Sequence, residues 1–205
     1  MRVSSLAHDA TEALEELLWP TRCVSCDMPG ELLCSDCRES LPWIAQRWAC
    51  PVCGAPYGWL TCTNCEGDWE SRATVCALRF AQSSSQMVAC LKDRSELRLA
   101  KVNAAAMATS LDEACGCCAP DGSPRFDPAK TDAICFVPAT ASAYARRGFD
   151  HMELVARELS SLIGVALFDV LQRSSAGDQR ALGRNERVSN LKGTVSVTDD
   201  VSDMR

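Results

Sequence analysis

Four Cys-x-x-Cys pairs stand in a row between residues 23 and 65 of this 205-residue sequence. Each pair places two sulfur atoms about one turn apart, so that both can bind the same metal ion, and two pairs complete a tetrahedral four-thiolate site. The eight ligands are Cys23, Cys26, Cys34, Cys37, Cys50, Cys53, Cys62 and Cys65. This spacing predicts two zinc ions. Because four thiolates leave zinc no open coordination position, both ions are expected to be structural.

The four Cys pairs can be combined in two ways. Pairing in sequence order joins 23/26 with 34/37 and 50/53 with 62/65, and this arrangement of two successive ribbons is favoured. A cross-braced arrangement joins 23/26 with 50/53 and 34/37 with 62/65, and the spacing leaves it open. Residues 23–65 lack long apolar runs, so metal binding is expected to supply much of the folding free energy of this module.

The N-terminus and the cysteines together indicate a cellular compartment. The opening MRVSSLAHDA places His8 and Asp9 where a signal peptide needs an apolar run, and no later run is long enough to span a membrane. The sequence therefore predicts a cytoplasmic protein without membrane insertion. In that compartment its fourteen cysteines stay reduced, which favours metal ligation over disulfides or a redox Cys-x-x-Cys.

Charge is distributed unevenly along the chain, whose formal net charge is −6. Residues 1–70 hold eleven acidic and four basic side chains, and two four-thiolate zinc sites would bring this part to about −11. Such a surface repels phosphates, so the module is predicted to pack against protein rather than to bind nucleic acid. Residues 171–193, by contrast, hold five basic and two acidic side chains.

Hydrophobic periodicity predicts an α/β protein. Apolar spacing indicates an amphipathic helix over residues 6–18 and later helices over 83–91, 97–114 and 150–164, with 115–132 as a loop. Strands are predicted over 73–81, 133–139 and 165–171, the second of them buried on both faces. The strand, helix, strand order predicts a parallel α/β unit. We expect two domains, residues 1–70 and 71–205.

Residues 136–193 hold an ordered set of motifs: Pro138, the run Arg146-Arg147-Gly148-Phe149, Arg173, and then Gln179, Leu182, Arg184, Arg187 and Asn190-Leu191-Lys192-Gly193. In this order they resemble the ComF family of competence-associated, phosphoribosyltransferase-like proteins. The stretches LLWPTRCVSC and CLKD, the latter at 90–93, fit the same pattern. The ordered combination is specific and covers nearly all of the chain, although each piece alone is weak.

The resemblance implies a double zinc ribbon followed by a partial type I phosphoribosyltransferase-like parallel sheet with flanking helices. It also implies binding of phosphoribosyl diphosphate, or a role in DNA uptake beside other competence proteins. The residues expected to bind the anion are Arg146, Arg147, Arg173, Arg184 and Arg187. Magnesium would be needed only with a complete phosphoribosyl diphosphate site.

The segment around Asp199-Asp200 departs from the family pattern. The family has an acidic pair, a Thr-Thr-Gly turn and a helix that hold the sugar phosphate, whereas Asp200 is followed here by Val-Ser-Asp-Met-Arg. We therefore expect no catalytic residues and no transferase activity, and an exposed sheet edge that an oligomer could cover. The alternative function is a zinc-dependent adaptor that binds protein or single-stranded DNA without catalysis.

The remaining cysteines and His151 are predicted to be structural or exposed. Cys76, Cys90 and Cys135 lie in apolar runs and are expected to be small core residues. Residues 115, 117 and 118 are cysteines of the predicted loop, where surface thiols are favoured over a third metal site. His151 is expected to cap a helix or to lie on the surface.

Overall fold

The computed structural model describes residues 20–65, 71, 73–174 and 183–198. The helix predicted over residues 6–18 lies outside this part of the chain, as do Asp199 and Asp200. The described helices are α1 (Ser35–Glu39), α2 (Gln82–Asp93), α3 (Leu99–Cys115), α4 (Ala141–Arg147), α5 (His151–Ile163) and α6 (Arg184–Leu191). The strands are β1 (Ala133–Ile134), β2 (Ala166–Leu167), β3 (Leu171–Arg173) and β4 (Val195–Val197). Short 3-10 helices span Gln46–Trp48 and Pro128–Lys130.

The largest helix contact joins α3 to α5. Ala100 and Ala104 of α3 are buried one turn apart, and their small side chains let Val155 and Leu159 of α5 pack closely. Leu99, which is fully buried, belongs to the same cluster. The predicted helices over 97–114 and 150–164 are thereby confirmed within two residues at each end.

Both ends of α5 are determined by local sequence. The buried carboxylate of Asp150 accepts hydrogen bonds from the amides of Met152 and Glu153, which satisfies the free N–H groups of the first turn. Gly164 ends the helix in the left-handed conformation, at a φ of 71°. The helical spacing of apolar residues predicts that Met152, Val155, Leu159 and Leu162 face inward. Val155 and Leu159 do, but the prediction is wrong for Met152 and Leu162, whose exposed fractions are 36% and 56%.

The sheet is much smaller than predicted. Strand β1 precedes α5 in the chain, β2 follows it, and the two strands pair in parallel. This confirms the β-α-β order, but each strand has only two residues. The prediction of a strand over 133–139 buried on both faces is wrong, since both β1 residues are half-buried and Val137 is 46% exposed. The ladder ends with the pair Ile134 and Leu167, after which the Phe168 amide donates to the Ile134 carbonyl. The described fold is a mixture of helices and short strands, with no larger parallel sheet among residues 20–65, 73–174 and 183–198.

A second two-stranded sheet follows. Strands β3 and β4 pair antiparallel, with Arg173 opposite Val195. All three residues of β4 are exposed.

The predicted strand over 73–81 does not form. Its residues are extended, but their backbone bonds run to the zinc module: the Thr74 amide donates to Pro51, the Ile44 amide to Ala77 and the Arg79 amide to Pro42. A single bridge joins Trp43 and Leu78. The alternating pattern therefore reflects an edge that holds the two parts of the molecule together and not a strand of the sheet.

The α5 core provides a first prediction. Leu159 is 5% exposed and Leu162, one turn away, is 56% exposed. We expect Leu159→Ala to lower the free energy of unfolding by roughly 2–5 kcal/mol, because it removes buried methyl groups and leaves a cavity. Leu162→Ala, the same chemical change on the exposed face, should cost below about 1 kcal/mol. Urea unfolding of both variants measures the difference, and equal losses would contradict this packing.

Candidate metal centres and anion cleft

The first four-cysteine cluster consists of Cys23, Cys26, Cys34 and Cys37. One pair belongs to the turn that opens the described chain, and the other flanks the start of α1, with Cys34 at its N-cap. The sulfurs of Cys26 and Cys34 are 3.6 Å apart. Cys23 and Cys37 are buried against Met87 of α2, which has no exposed surface. The cluster is thus anchored on the helical layer.

The second cluster consists of Cys50, Cys53, Cys62 and Cys65. Its sulfurs lie 3.3 Å apart between Cys50 and Cys65 and 3.6 Å apart between Cys53 and Cys62. Gly58 passes over this cluster so closely that an added Cβ would lie 2.8 Å from the Cβ of Cys50 and 3.1 Å from the sulfur of Cys62. A side chain at this position would press on the ligands themselves.

Both clusters are built on the same backbone turn. The amide of Cys23 donates to Met28 five residues on, and the amide of Asp27 donates back to Cys23. The second cluster repeats both bonds, from Cys50 to Ala55 and from Gly54 to Cys50. Asp27 and Gly54 occupy equivalent positions with φ values of 64° and 72°, the left-handed conformation that closes each turn. The sequence thus encodes one metal-binding turn twice.

The sulfur geometry fits zinc. A tetrahedron with zinc–sulfur bonds of about 2.3 Å places its sulfurs about 3.8 Å apart. In each cluster all four sulfurs lie within 4.8 Å of one another. The two centres therefore fit two structural zinc ions, and the pairing in sequence order is confirmed. The cross-braced alternative is wrong.

The thiols of each cluster ionise unequally before zinc binds. Burial opposes ionisation of Cys23, but the amides of Cys34 and Cys26 lower its pKa to about 6. The amide of Asn64, 3.4 Å from the sulfur of Cys62, lowers the pKa of that thiol to about 7. Each cluster thus offers one thiolate near neutral pH to begin zinc binding. Zinc then displaces the protons of the remaining thiols.

Arg125 ties the second cluster to the rest of the protein. It is 3% exposed, and its guanidinium donates to the carbonyls of Ala49 at 2.7 Å and of Cys50 and Thr74 at 3.3 Å each. Burial lowers the pKa of this guanidinium, and the neighbouring ionisable groups Cys117, Cys50, Cys76 and Glu113 oppose that effect. We interpret Arg125 as a cation that partly neutralises the zinc–thiolate centre. The sequence analysis did not identify it, because a single Arg in a polar loop has no distinctive spacing.

A second site lies beyond the end of β1. A cleft of about 710 Å³ is lined by residues 134–140, by the inner face of α5, and by four cationic side chains from three further segments. These cations are Lys92, Arg146, Arg147 and Arg173. Three of them were predicted to bind an anion, and the cleft brings all three together. Lys92 belongs to the CLKD stretch, whose role the sequence left unassigned.

Few acidic side chains lie near the cationic side chains of the cleft. The lining contains no Asp or Glu among the described residues. Arg147, whose side chain is 9% exposed, pairs with Asp93 at 3.6 Å. Asp150 lies beneath the cleft and accepts a hydrogen bond from the amide of Ala139, so the carboxylate that caps α5 also holds the loop that follows β1.

His151 lines the same cleft, contrary to the prediction that it caps a helix or lies on the surface. Its side chain is 17% exposed, and Asp150 performs the capping. Burial lowers the pKa of His151, and the positive charges of Arg147 and Lys92 act in the same direction. The imidazole is therefore neutral at neutral pH.

The remaining predicted residues have mixed outcomes. Arg184 and Arg187 belong to α6, and their side chains lie outside the described part of the structure. Cys90 is buried as predicted, but Cys135 is exposed and Cys76 only half-buried. The loop cysteines form no further metal-binding group within the described residues.

The two zinc centres define the N-terminal part as a double zinc ribbon, and the comparison with known families agrees. Residues 14–66 match the double zinc ribbon domain family. No curated protein and no solved structure matches the chain. None of the described helices has both the length and the hydropathy to cross a membrane.

The close approach of Gly58 generates a prediction for zinc binding. We expect Gly58→Ala to weaken the second zinc site by at least about tenfold, since the new methyl group would displace Cys50 or Cys62. Gly116→Ala is the matched control, because its added Cβ would meet nothing nearer than 3.6 Å. Titration with a chromogenic chelator counts the ions released. One zinc ion should be lost early in Gly58→Ala and neither in Gly116→Ala; two tightly held ions in both variants would contradict the assignment.

Removal of Arg125 should affect stability and the second zinc site together. Arg125→Met leaves the carbonyls of Ala49 and Thr74 without their donor, so we expect a loss of roughly 3 kcal/mol in the free energy of unfolding. Arg47→Met serves as a control, because Arg47 is exposed and only stacks over the Trp48 ring at 4.6 Å. Thermal unfolding and zinc content are the measurements. A stable Arg125→Met variant with two zinc ions would refute this role.

Proposed function

We propose that this chain is a ComF-like, phosphoribosyltransferase-family protein whose cleft binds the diphosphate group of phosphoribosyl diphosphate. The observation that carries the proposal is the convergence of Lys92, Arg146, Arg147 and Arg173 on a cleft without acidic lining. In a chain of net charge −6, such a concentration of positive charge favours a polyanionic ligand. Arginine also presents a planar fork that matches phosphate oxygens.

Unsatisfied polar atoms support the same ligand. The Nε atoms of Arg147 and Arg173 and the Nδ1 atom of His151 are buried and have no hydrogen-bond partner within the described structure. All three residues line the cleft. A buried donor without an acceptor costs about 1–3 kcal/mol. Phosphate oxygens entering the cleft would supply acceptors to both guanidinium groups.

The position of the cleft is also consistent with a phosphate site. Ligands of open α/β folds bind outside the carboxyl ends of parallel strands, and the cleft begins where β1 ends. Thr140 and Ser142 add hydroxyl groups to its lining. We propose that the diphosphate group binds at this position. Magnesium would take part only with a complete phosphoribosyl diphosphate site.

We further propose that residues 1–70 and 71–205 are two domains, with the zinc ribbons acting as a scaffold. The ribbons contact the helical layer through Met87 and through the bridge between Trp43 and Leu78. Within the described residues, β1 and β2 pair only with each other, so a strand of a second copy could pair with an outer edge of this sheet. A cytoplasmic location in a DNA-uptake system follows from the resemblance.

A second candidate function is a zinc-dependent adaptor that binds another protein. Tyr57 and Leu60 of the second ribbon are 80% and 78% exposed, which is high for large apolar side chains. They stand on an acidic module that would repel nucleic acid. An adaptor of this kind would not use the cleft, so the two functions can be separated by experiment.

Inorganic pyrophosphate is the probe for the proposed function. We expect isothermal titration calorimetry to detect its binding, and Arg146→Gln or Lys92→Gln to weaken it by about tenfold each, since each removes a charge from the cleft. Arg94→Gln is the matched control: it removes the same charge two residues from Lys92 at an exposed position outside the cleft lining. Binding should also weaken as salt concentration rises.

Three outcomes are informative. No binding of pyrophosphate, or equal losses in Arg146→Gln and Arg94→Gln, would refute a diphosphate cleft. Release of pyrophosphate from phosphoribosyl diphosphate in the presence of magnesium and an acceptor would overturn the expectation that transfer is absent. A gel shift of single-stranded DNA that disappears when Arg184 and Arg187 are changed to Glu would favour nucleic-acid binding instead, whereas an adaptor acting through the ribbons would be indifferent to that change.

A further inference from the structure

An apolar groove of about 610 Å³ lies between the first zinc ribbon and α3. Leu33 and Leu41 of the ribbon and Ala106 of the helix line it and are almost fully buried. Trp43 also lines it but leaves 38% of its surface exposed, and Ala105 of α3 is exposed as well. The groove thus presents apolar surface from two elements that face a common gap.

The rim of the groove is basic. Arg38, Arg98 and Lys101 line it, and all three are exposed. Glu31, the acidic residue of the lining, pairs with Arg38 at 3.2 Å, and Arg98 pairs with Glu96 at 2.8 Å. An acidic, amphipathic segment would complement both the floor and the rim.

The N-terminal segment of this chain has that chemistry. Its apolar residues at helical spacing are Leu6, Ala10, Ala13, Leu14, Leu17 and Leu18. At about 100° per residue, Asp9 and Glu16 fall along one border of the apolar face. Residues 3–21 include four acidic side chains and no Lys or Arg. The match to the double zinc ribbon family begins at residue 14, inside this segment.

The chain connection favours this segment over a separate molecule. Thr21 lines the groove, and only Trp19 and Pro20 lie between it and Leu18. Three residues span at most about 10 Å, so the end of the segment is confined beside the groove. Such a short connection gives an intramolecular contact a high effective concentration.

We propose that residues 6–18 form an amphipathic helix that packs into this groove. The helix places its apolar face on Leu33, Leu41 and Ala106, and its acidic border faces Lys101 and the neighbouring arginines. It then covers the contact between the first zinc ribbon and α3. The proposal does not depend on the function of the anion cleft.

Hydrogen–deuterium exchange of the full chain, measured by mass spectrometry on the peptide covering residues 6–18, tests the proposal. In the wild-type protein we expect its amides to exchange at least about tenfold more slowly than an unstructured peptide. Ala105→Glu places a longer, negatively charged side chain in the groove at an exposed position of α3, so the amides of residues 6–18 should lose their protection. Ala89→Glu is the matched control, an exposed Ala of α2 outside the groove, and should leave protection unchanged.

Further measurements identify the occupant and exclude misfolding. Both variants should retain two zinc ions and the wild-type circular dichroism spectrum. Leu14→Asp combined with Leu17→Asp should abolish protection without altering the groove. An unprotected segment in the wild-type protein, or protection that survives Ala105→Glu, would overturn the proposal. Protection that rises with protein concentration would also overturn it, since a second copy would then be the occupant.

Discussion

Thiolate coordination is the constraint on which the rest of the structure depends. The residues between the Cys pairs are too polar to hold two ribbons together. Even so, Leu33, which directly precedes the ligand Cys34, and Leu41, which follows the last ligand of the first ribbon, are buried. Zinc binding holds the turns closed, and the closed ribbon presents these leucines to Met87 of α2. Loss of the metal would therefore remove one wall of a shared hydrophobic cluster.

The negative charge of the two zinc centres is stabilised in different ways. A four-thiolate zinc site carries two negative charges, which are costly in a dry environment. The second centre lies beside Arg125, a buried cation bonded to the carbonyl of one of its own ligands, Cys50. The first centre keeps Cys26 exposed, so water can share in its solvation. One centre thus lies beside a buried arginine from the loop after α3, and the other has an exposed ligand.

The metal ligands were predictable from the sequence, but the sheet was not. The Cys-x-x-Cys spacing encodes a local turn, and local turns survive whatever surrounds them, as the repeated bonds of Cys23 and Cys50 illustrate. The alternation over residues 73–81 could not reveal that its partner is a ribbon edge. Likewise, the helical period located α5 but could not show that Leu162 is exposed, because that depends on which elements are packed against the helix. Arg125 and His151 were misjudged or missed for the same reason: burial comes from residues distant in sequence.

Helix α2 connects the two candidate sites physically. Near its middle, Met87 is buried against the first zinc ribbon, and near its end Lys92 lines the cleft, while Asp93 pairs with Arg147. This helix of 12 residues thus places Met87 and Lys92, about one and a half turns apart, on one element. The first zinc ribbon packs on the same helix that supplies a cation to the cleft. This shared helix gives metal centres with no open coordination position a structural part in placing a side chain of the proposed anion site.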